Sequence, residues 1–116
     1  MLEQREKIAT NIRKGVLEYC VLGSLANDDK YGLELAEELT KRHLTAGEGS
    51  LYPLLARMKT AGLVETRWEE GGAGRKRKYY SITEHGRVML KEFRTVWAEI
   101  TTQVDELLGG QHGQGY

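Results

Sequence analysis

The chain has 116 residues, 17 of them Lys or Arg and 17 Asp or Glu, with 29% charged and 40% apolar residues. One soluble globular domain fits those figures, and full disorder does not fit this apolar content at zero formal net charge. A single cysteine, Cys20, and three scattered histidines, His43, His85 and His112, exclude an internal disulfide and leave no metal-ligand spacing, so neither metal nor cofactor is expected.

Residues 4–27 carry Ile8, Ile12, Val16 and Tyr19 or Cys20 at helical spacing, widened by Leu17, Val21 and Leu25. This pattern predicts a first helix, with Gly15 as its weak point. Asn27-Asp28-Asp29 supplies turn residues, and Asp29 is placed to cap the next helix. That helix is predicted over Tyr31–Arg42, where Tyr31, Leu35 and Leu39 share a face and Glu34, Glu37, Glu38 and Lys41 form a solvated one. His43–Gly47 connects it to a third helix, from about Glu48 to Ala61, whose Leu51, Leu54, Leu55 and Met58 make an apolar stripe. Gly62 fits the position just past its C-terminus, where φ is often positive. Pro53 taken alone favours a later start at Ser50, because proline is comfortable in a first turn.

From Leu63 the apolar period changes to two. Leu63–Glu69 and Arg77–Thr83 alternate on either side of Gly71-Gly72-Ala73-Gly74, which predicts a β-hairpin with Tyr80 and Ile82 facing inward. A two-stranded hairpin is marginal alone, so it must pack on the helices. Thr83 is a good cap for a last helix over Glu84–Leu108. There Leu90, Phe93, Trp97, Ile100, Val104 and Leu107 follow steps of 3, 4, 3, 4 and 3, a heptad seam. Gly109–Tyr116 has no apolar period and is expected to be a disordered tail.

This order of elements is that of a mainly α (α+β) fold, a winged helix-turn-helix with a long C-terminal dimerisation helix. On that reading residues 1–83 form the DNA-binding domain, 84–108 the dimerisation helix and 109–116 the tail. Charge is unevenly placed: residues 1–30 hold five of each sign and 84–108 three positive against five negative. Arg75, Lys76, Arg77 and Lys78 set four cations in a row beside the hairpin glycines. Such a run can track phosphates, and an ordinary solvated turn can look the same. Ser50, Pro53 and Arg57 lie opposite the third helix's apolar face, where an arginine can pair with guanine; a plain surface helix shares that pattern. Tyr52 can bond a phosphate or sit half-buried with its hydroxyl outward. Helix and wing together point to double-stranded DNA as the partner. No Ser/His/Asp, Cys/His or phosphate-loop arrangement suggests an enzyme, and Cys20 reads as a small apolar packing residue. The longest mostly apolar run, Tyr19–Ala26, is far short of the ~20 residues of a membrane span. Met1–Arg5 lacks an apolar signal region, so a cytoplasmic protein without membrane partners is expected.

Four stretches carry a more specific resemblance: Tyr31-Gly32-Leu33-Glu34-Leu35, Gly49-Ser50-Leu51-Tyr52-Pro53-Leu54-Leu55-Ala56-Arg57-Met58, Gly62-Leu63-Val64 and Arg77-Lys78-Tyr79-Tyr80-Ser81-Ile82-Thr83-Glu84-His85-Gly86. As a set they resemble the PadR family of bacterial transcriptional regulators, and the single last helix resembles its small subfamily. The resemblance implies a homodimeric winged-helix regulator, usually a repressor. It implies that the third helix, from Glu48, reads the major groove and that the wing touches the minor groove or backbone. The chain's overall neutrality departs from a typical member.

The heptad seam independently predicts an obligate homodimer on a palindromic operator. Residues 84–108 as a helix span roughly 37 Å, against about 34 Å for one DNA turn. Within the seam, Phe93 and Thr101 lie one turn either side of Trp97, which makes Trp97 either plain core or a platform for a planar aromatic small molecule. The resemblance favours the platform, since some small PadR regulators bind planar hydrophobic compounds at the dimer centre through a tryptophan at this place. Release of DNA by such an effector is the expectation. The alternative is a winged-helix protein-interaction module without specific DNA binding.

Overall fold

The computed structural model describes residues 2–45 and 47–109; of the expected tail, 110–116 lie outside the described residues. The elements run α1 (Leu2–Leu25), β1 (Lys30–Tyr31), α2 (Gly32–Lys41), α3 (Glu48–Thr60), β2 (Val64–Glu70), β3 (Lys76–Ile82) and α4 (Glu84–Leu107). The three strands form one antiparallel sheet in the order β1-β3-β2. This is a winged helix-turn-helix with a long C-terminal helix.

The predicted stripes converge on one core. It takes Val21, Leu22 and Leu25 from the end of α1, Leu35 and Leu39 from α2, Leu51, Leu55 and Met58 from α3, Val64, Tyr80 and Ile82 from the sheet, and Leu90 from α4. α1 continues through Gly15, where a Cβ would meet nothing within 4 Å. The glycine there costs only helix propensity. Pro53 likewise sits inside α3 rather than in its first turn. The hydrogen bond it removes would have gone to the carbonyl of Gly49, an exposed residue that water can serve instead.

Three local expectations are corrected. The hairpin is joined by a third strand, with Lys30 opposite Tyr80 and Tyr31 opposite Tyr79. Asp29 does not cap α2: Tyr31 takes that position, and its backbone N–H donates to Glu34 Oε1 at 3.1 Å. Asp29 accepts instead from Arg67 Nη1 of β2 at 2.5 Å. Glu38 is not part of a solvated face. It accepts from Ser24 Oγ and from Lys30 Nζ at 2.8 Å, and these bonds hold its carboxyl below the usual carboxylate range.

Tight turns set the helix angles. After α2, His43 adopts φ 61° and Leu44 N–H reaches back to Leu39 O at 2.8 Å. After α3, Gly62 takes the expected positive φ of 79°, and Leu63 N–H donates to Met58 O at 2.9 Å. Both close orphan carbonyls at a helix end. Thr83 then begins α4 as expected: its Oγ1 accepts from Gly86 N–H at 3.0 Å and donates to Gly62 O at 2.6 Å.

Candidate nucleic-acid interface

α3 positions the first group of side chains. At about 100° per residue, its core face is centred on Leu51 and Met58, and its most solvent-facing line is Gly49, Pro53, Ala56 and Thr60. Ser50 and Arg57 occupy one edge of that exposed face, and Tyr52 and Lys59 the other, which looks toward the wing. Glu48, Ser50, Pro53 and Arg57 are all exposed. Sequence spacing therefore found the exposed face but centred it one edge too far from the wing. Tyr52 is 41% exposed, and its ring closes over Gly32, where an added Cβ would lie 2.7 Å from Cε1. Tyr52 thus wedges α3 against the start of α2. Burial and the nearby Glu48 push its phenol pKa up.

The wing positions the second group. β2 and β3 pair Glu70 with Lys76, Glu69 with Arg77, Trp68 with Lys78 and Thr66 with Tyr80. Alternation sends Lys76, Lys78, Tyr80 and Ile82 to the face over α3, and Arg77, Tyr79 and Ser81 to the other. On the far face Arg77 lies over the Tyr31 ring at 4.3 Å, and Arg67 lies over Tyr79 at 5.2 Å while bonding Asp29, Glu69 and Ser81. On the near face the Lys78 ammonium sits 5.8 Å from the Tyr80 ring and 6.0 Å from the Trp68 ring. At the tip, Ala73 and Gly74 both take positive φ, 60° and 73°, and Gly71 N–H donates to Arg75 O. Among the described residues, Arg57, Lys59, Arg75 and Lys76 make no ion pair. The four-cation run is therefore divided: Arg75 and Lys76 are free at the tip, while Arg77 and Lys78 rest on opposite aromatic faces.

The seam of α4 is divided in the same way. Leu90 is 6% exposed within the chain's own core, so it is not available to a second subunit as expected. Phe93 stacks on Tyr19 of α1 at 4.3 Å, nearly parallel, and Trp97 follows at 5.6 Å from Phe93. Beyond them the helix leaves the domain, and Trp97, Ile100, Val104 and Leu107 are exposed, as are Ile8 and Ile12 of α1. An apolar groove of about 450 Å³ runs between α1 and α4, lined by Ile12, Val16, Tyr19, Phe93, Trp97 and Ile100. Phe93 and Trp97 line this groove as expected of a ligand platform, but Thr101 does not: its hydroxyl turns back onto its own helix and donates to Trp97 O at 2.8 Å. Cys20 is half-buried nearby with its thiol pKa raised by burial, in keeping with a packing role. No helix among the described residues is long and apolar enough to cross a membrane.

Comparison with known proteins places these surfaces in a family. The family model described as "Transcriptional regulator PadR-like family" matches residues 21–92, from the last turns of α1 into α4. The transcriptional regulator Rv3488 of Mycobacterium tuberculosis is 33% identical over 91 residues, covering 78% of this chain and 81% of that protein. A PadR-like transcriptional regulator from Bacillus cereus is 41% identical, with a TM-score of 0.78 over 87% of this chain and 99% of its own. The PadR of Bacillus subtilis, solved in complex with operator DNA, shares the fold at 23% identity, with a TM-score of 0.62 over 67% of this chain and 46% of its own. These are regulators rather than enzymes, and the chain belongs to the PadR-like family of transcriptional regulators.

Proposed function

We propose that this protein is a sequence-specific transcriptional repressor that binds a palindromic operator in the cytoplasm as a homodimer. The observation that carries the reading is the shared surface of α3 and the wing. One side of α3 is core, and the other is bare, with free cations at Arg57 and at the wing tip. α3 enters the major groove, where Arg57 pairs with guanine, Glu48 accepts from cytosine and Ser50 bonds a base edge or phosphate. Arg75 and Lys76 hold the wing on the phosphates. The operator complex of the Bacillus subtilis PadR, which has the same fold, supports this use of the surface.

The exposed seam supports the dimer. Trp97, Ile100, Val104 and Leu107 would be an apolar liability on a lone chain. Pairing α4 helices buries them and sets two recognition helices about one DNA turn (~34 Å) apart. The groove beside Phe93 and Trp97 takes a planar aromatic effector, which releases DNA if it binds better to a wing spacing that does not fit the operator. A second reading, a protein-interaction module, draws on the acids Glu69 and Glu70 set against Arg77 and Lys76 across the wing. Selection of bound fragments from genomic DNA at physiological salt separates the two. The repressor reading expects one enriched palindrome whose affinity falls steeply with salt, and absence of any salt-dependent duplex binding leaves the interaction module.

A further inference from the structure

The edge of α3 that faces the wing carries its own set of polar groups, distinct from the Ser50 and Arg57 edge. Between α3 and the near face of the sheet lies a trough of about 610 Å³. Tyr52, Ala56, Lys59 and Thr60 line it from α3, and Lys78 and Tyr80 from β3. Two ammonium groups thus stand on opposite walls. Among the described residues neither has a carboxylate within ion-pair distance. The Lys78 ammonium is held over the trough wall between the Tyr80 and Trp68 rings. Thr60 is exposed, and the Tyr52 and Tyr80 phenols, like any phenol at neutral pH, carry a proton to donate. Buried Leu55 forms the floor, and Ala56, on the exposed ridge of α3, adds no bulk at the rim. The nearest acids in sequence or register are Glu48, one turn before Tyr52, and Glu70, at the far end of the wing opposite Lys76.

A trough with a cation on each wall and hydroxyl donors between them suits a polyanion that passes through rather than a small ligand that is enclosed. When a helix lies in a major groove and the adjoining wing reaches the next minor groove, one sugar-phosphate strand must run between them. We propose that this trough seats that strand, with Lys59 and Lys78 as its paired phosphate contacts and Tyr52 and Thr60 as hydroxyl donors. The inference rests on the DNA-binding reading above and divides α3 between two tasks. The Ser50 and Arg57 edge, with Glu48 at the helix start, reads bases, and Tyr52 and Lys59 further along the other edge grip backbone. Lys59 and Thr60 acquire a role here that their exposure alone does not suggest.

The test is fluorescence anisotropy with a random-sequence duplex about three helical turns long, titrated across a salt series. The proteins compared are wild type, Lys59→Gln, Lys78→Gln, the double variant and Lys59→Arg. Each lost phosphate contact lowers the slope of log affinity against log salt by about 0.9, so each Gln variant should lose about one unit and the double variant about two. Lys59→Arg should keep the wild-type slope. Lys59 is exposed and Lys78 is half-buried against the Tyr80 and Trp68 rings, and circular dichroism checks that each variant stays folded. Wild-type slopes in the folded Gln variants would overturn the trough assignment while leaving DNA binding intact. Absence of duplex binding by the wild type would overturn both.

Discussion

Replacing either of two helical glycines by alanine should move stability in opposite directions. In a helix interior, alanine is favoured over glycine by roughly 0.5–1 kcal/mol. At Gly23 of α1 the added methyl meets nothing within 4 Å, so Gly23→Ala should realise that gain. At Gly86, in the first turn of α4, the methyl would fall 2.3 Å from Leu63 O and 2.8 Å from Ile82 Cγ1. The first of these is backbone, which no rotamer change can move. The same Leu63 carbonyl accepts Thr83 N–H at 3.1 Å, and Thr83 caps α4 through Gly86 N–H at 3.0 Å, so relief of the clash pulls on the cap. Overpacking costs about 1–3 kcal/mol and a weakened cap about 1 more. Set against the propensity gain, Gly86→Ala should lose roughly 1–3.5 kcal/mol, centred on about 2. For a chain of this size that is a fall in Tm on the order of 10 °C, against a rise of a few degrees for Gly23→Ala. Thermal unfolding followed by circular dichroism, at one fixed protein concentration, reads both. A Gly86→Ala protein that melts at or above the wild type would refute the reasoning.

Arg57→Ala should cost about 1–3 kcal/mol on the operator and relax the sequence preference at one position of each half-site, with little change on random DNA; equal weakening on all sequences would remove Arg57 from the base-reading edge. Ile100→Asp should give monomers by sedimentation at micromolar concentration while the core, which excludes Ile100, stays folded; a dimer as tight as wild type would place the interface elsewhere. Glu38 has its folded pKa lowered by Lys30 and Ser24, so its contribution is present above the unfolded carboxyl pKa and is lost as pH falls through the folded one. Glu38→Gln should therefore flatten the acid limb of the stability curve, and an unchanged limb would show that the bonds carry no net stabilisation. With Trp68→Phe as background, planar aromatic compounds should quench Trp97, and quenching that survives Trp97→Ala would place them elsewhere.

The helices were legible because each buries one stripe, and a stripe is what periodicity records. Leu51, Leu54, Leu55 and Met58 define α3 from sequence and are its buried residues in the fold. Gly62 was legible for a local reason, since an L-residue pays for the φ of 79° that the turn demands. β1 left no signal because two residues cannot display a period, and its existence depends on β3 offering a free edge. Asp29 and Glu38 were misread for a related reason. Their partners, Arg67 and Lys30 with Ser24, are brought close only by tertiary folding. The heptad seam was read as one surface, yet its first member, Leu90, is core and its last four are bare. A repeat of seven marks a straight apolar line along a helix, and it does not say where along that line one neighbour stops and another begins.

The run Arg75 to Lys78 shows how a strand redistributes what a sequence concentrates. In the chain the four cations are adjacent, and their summed field would be their main property. In β3 the pleat turns Arg77 away from Lys76 and Lys78, onto the Tyr31 ring, while register places Glu69 and Glu70 across from Arg77 and Lys76. No ion pair closes across these positions among the described residues, but the pleat leaves only part of the run on the face toward α3, and a duplex there meets fewer cations than the sequence counts. Lys59 makes the converse point. It stands nineteen positions before Lys78, outside any run, and folding brings it to the opposite wall of the same trough. The electrostatic surface offered to DNA is therefore set by which strand face and which helix edge each cation occupies, and the chain's formal neutrality does not describe it.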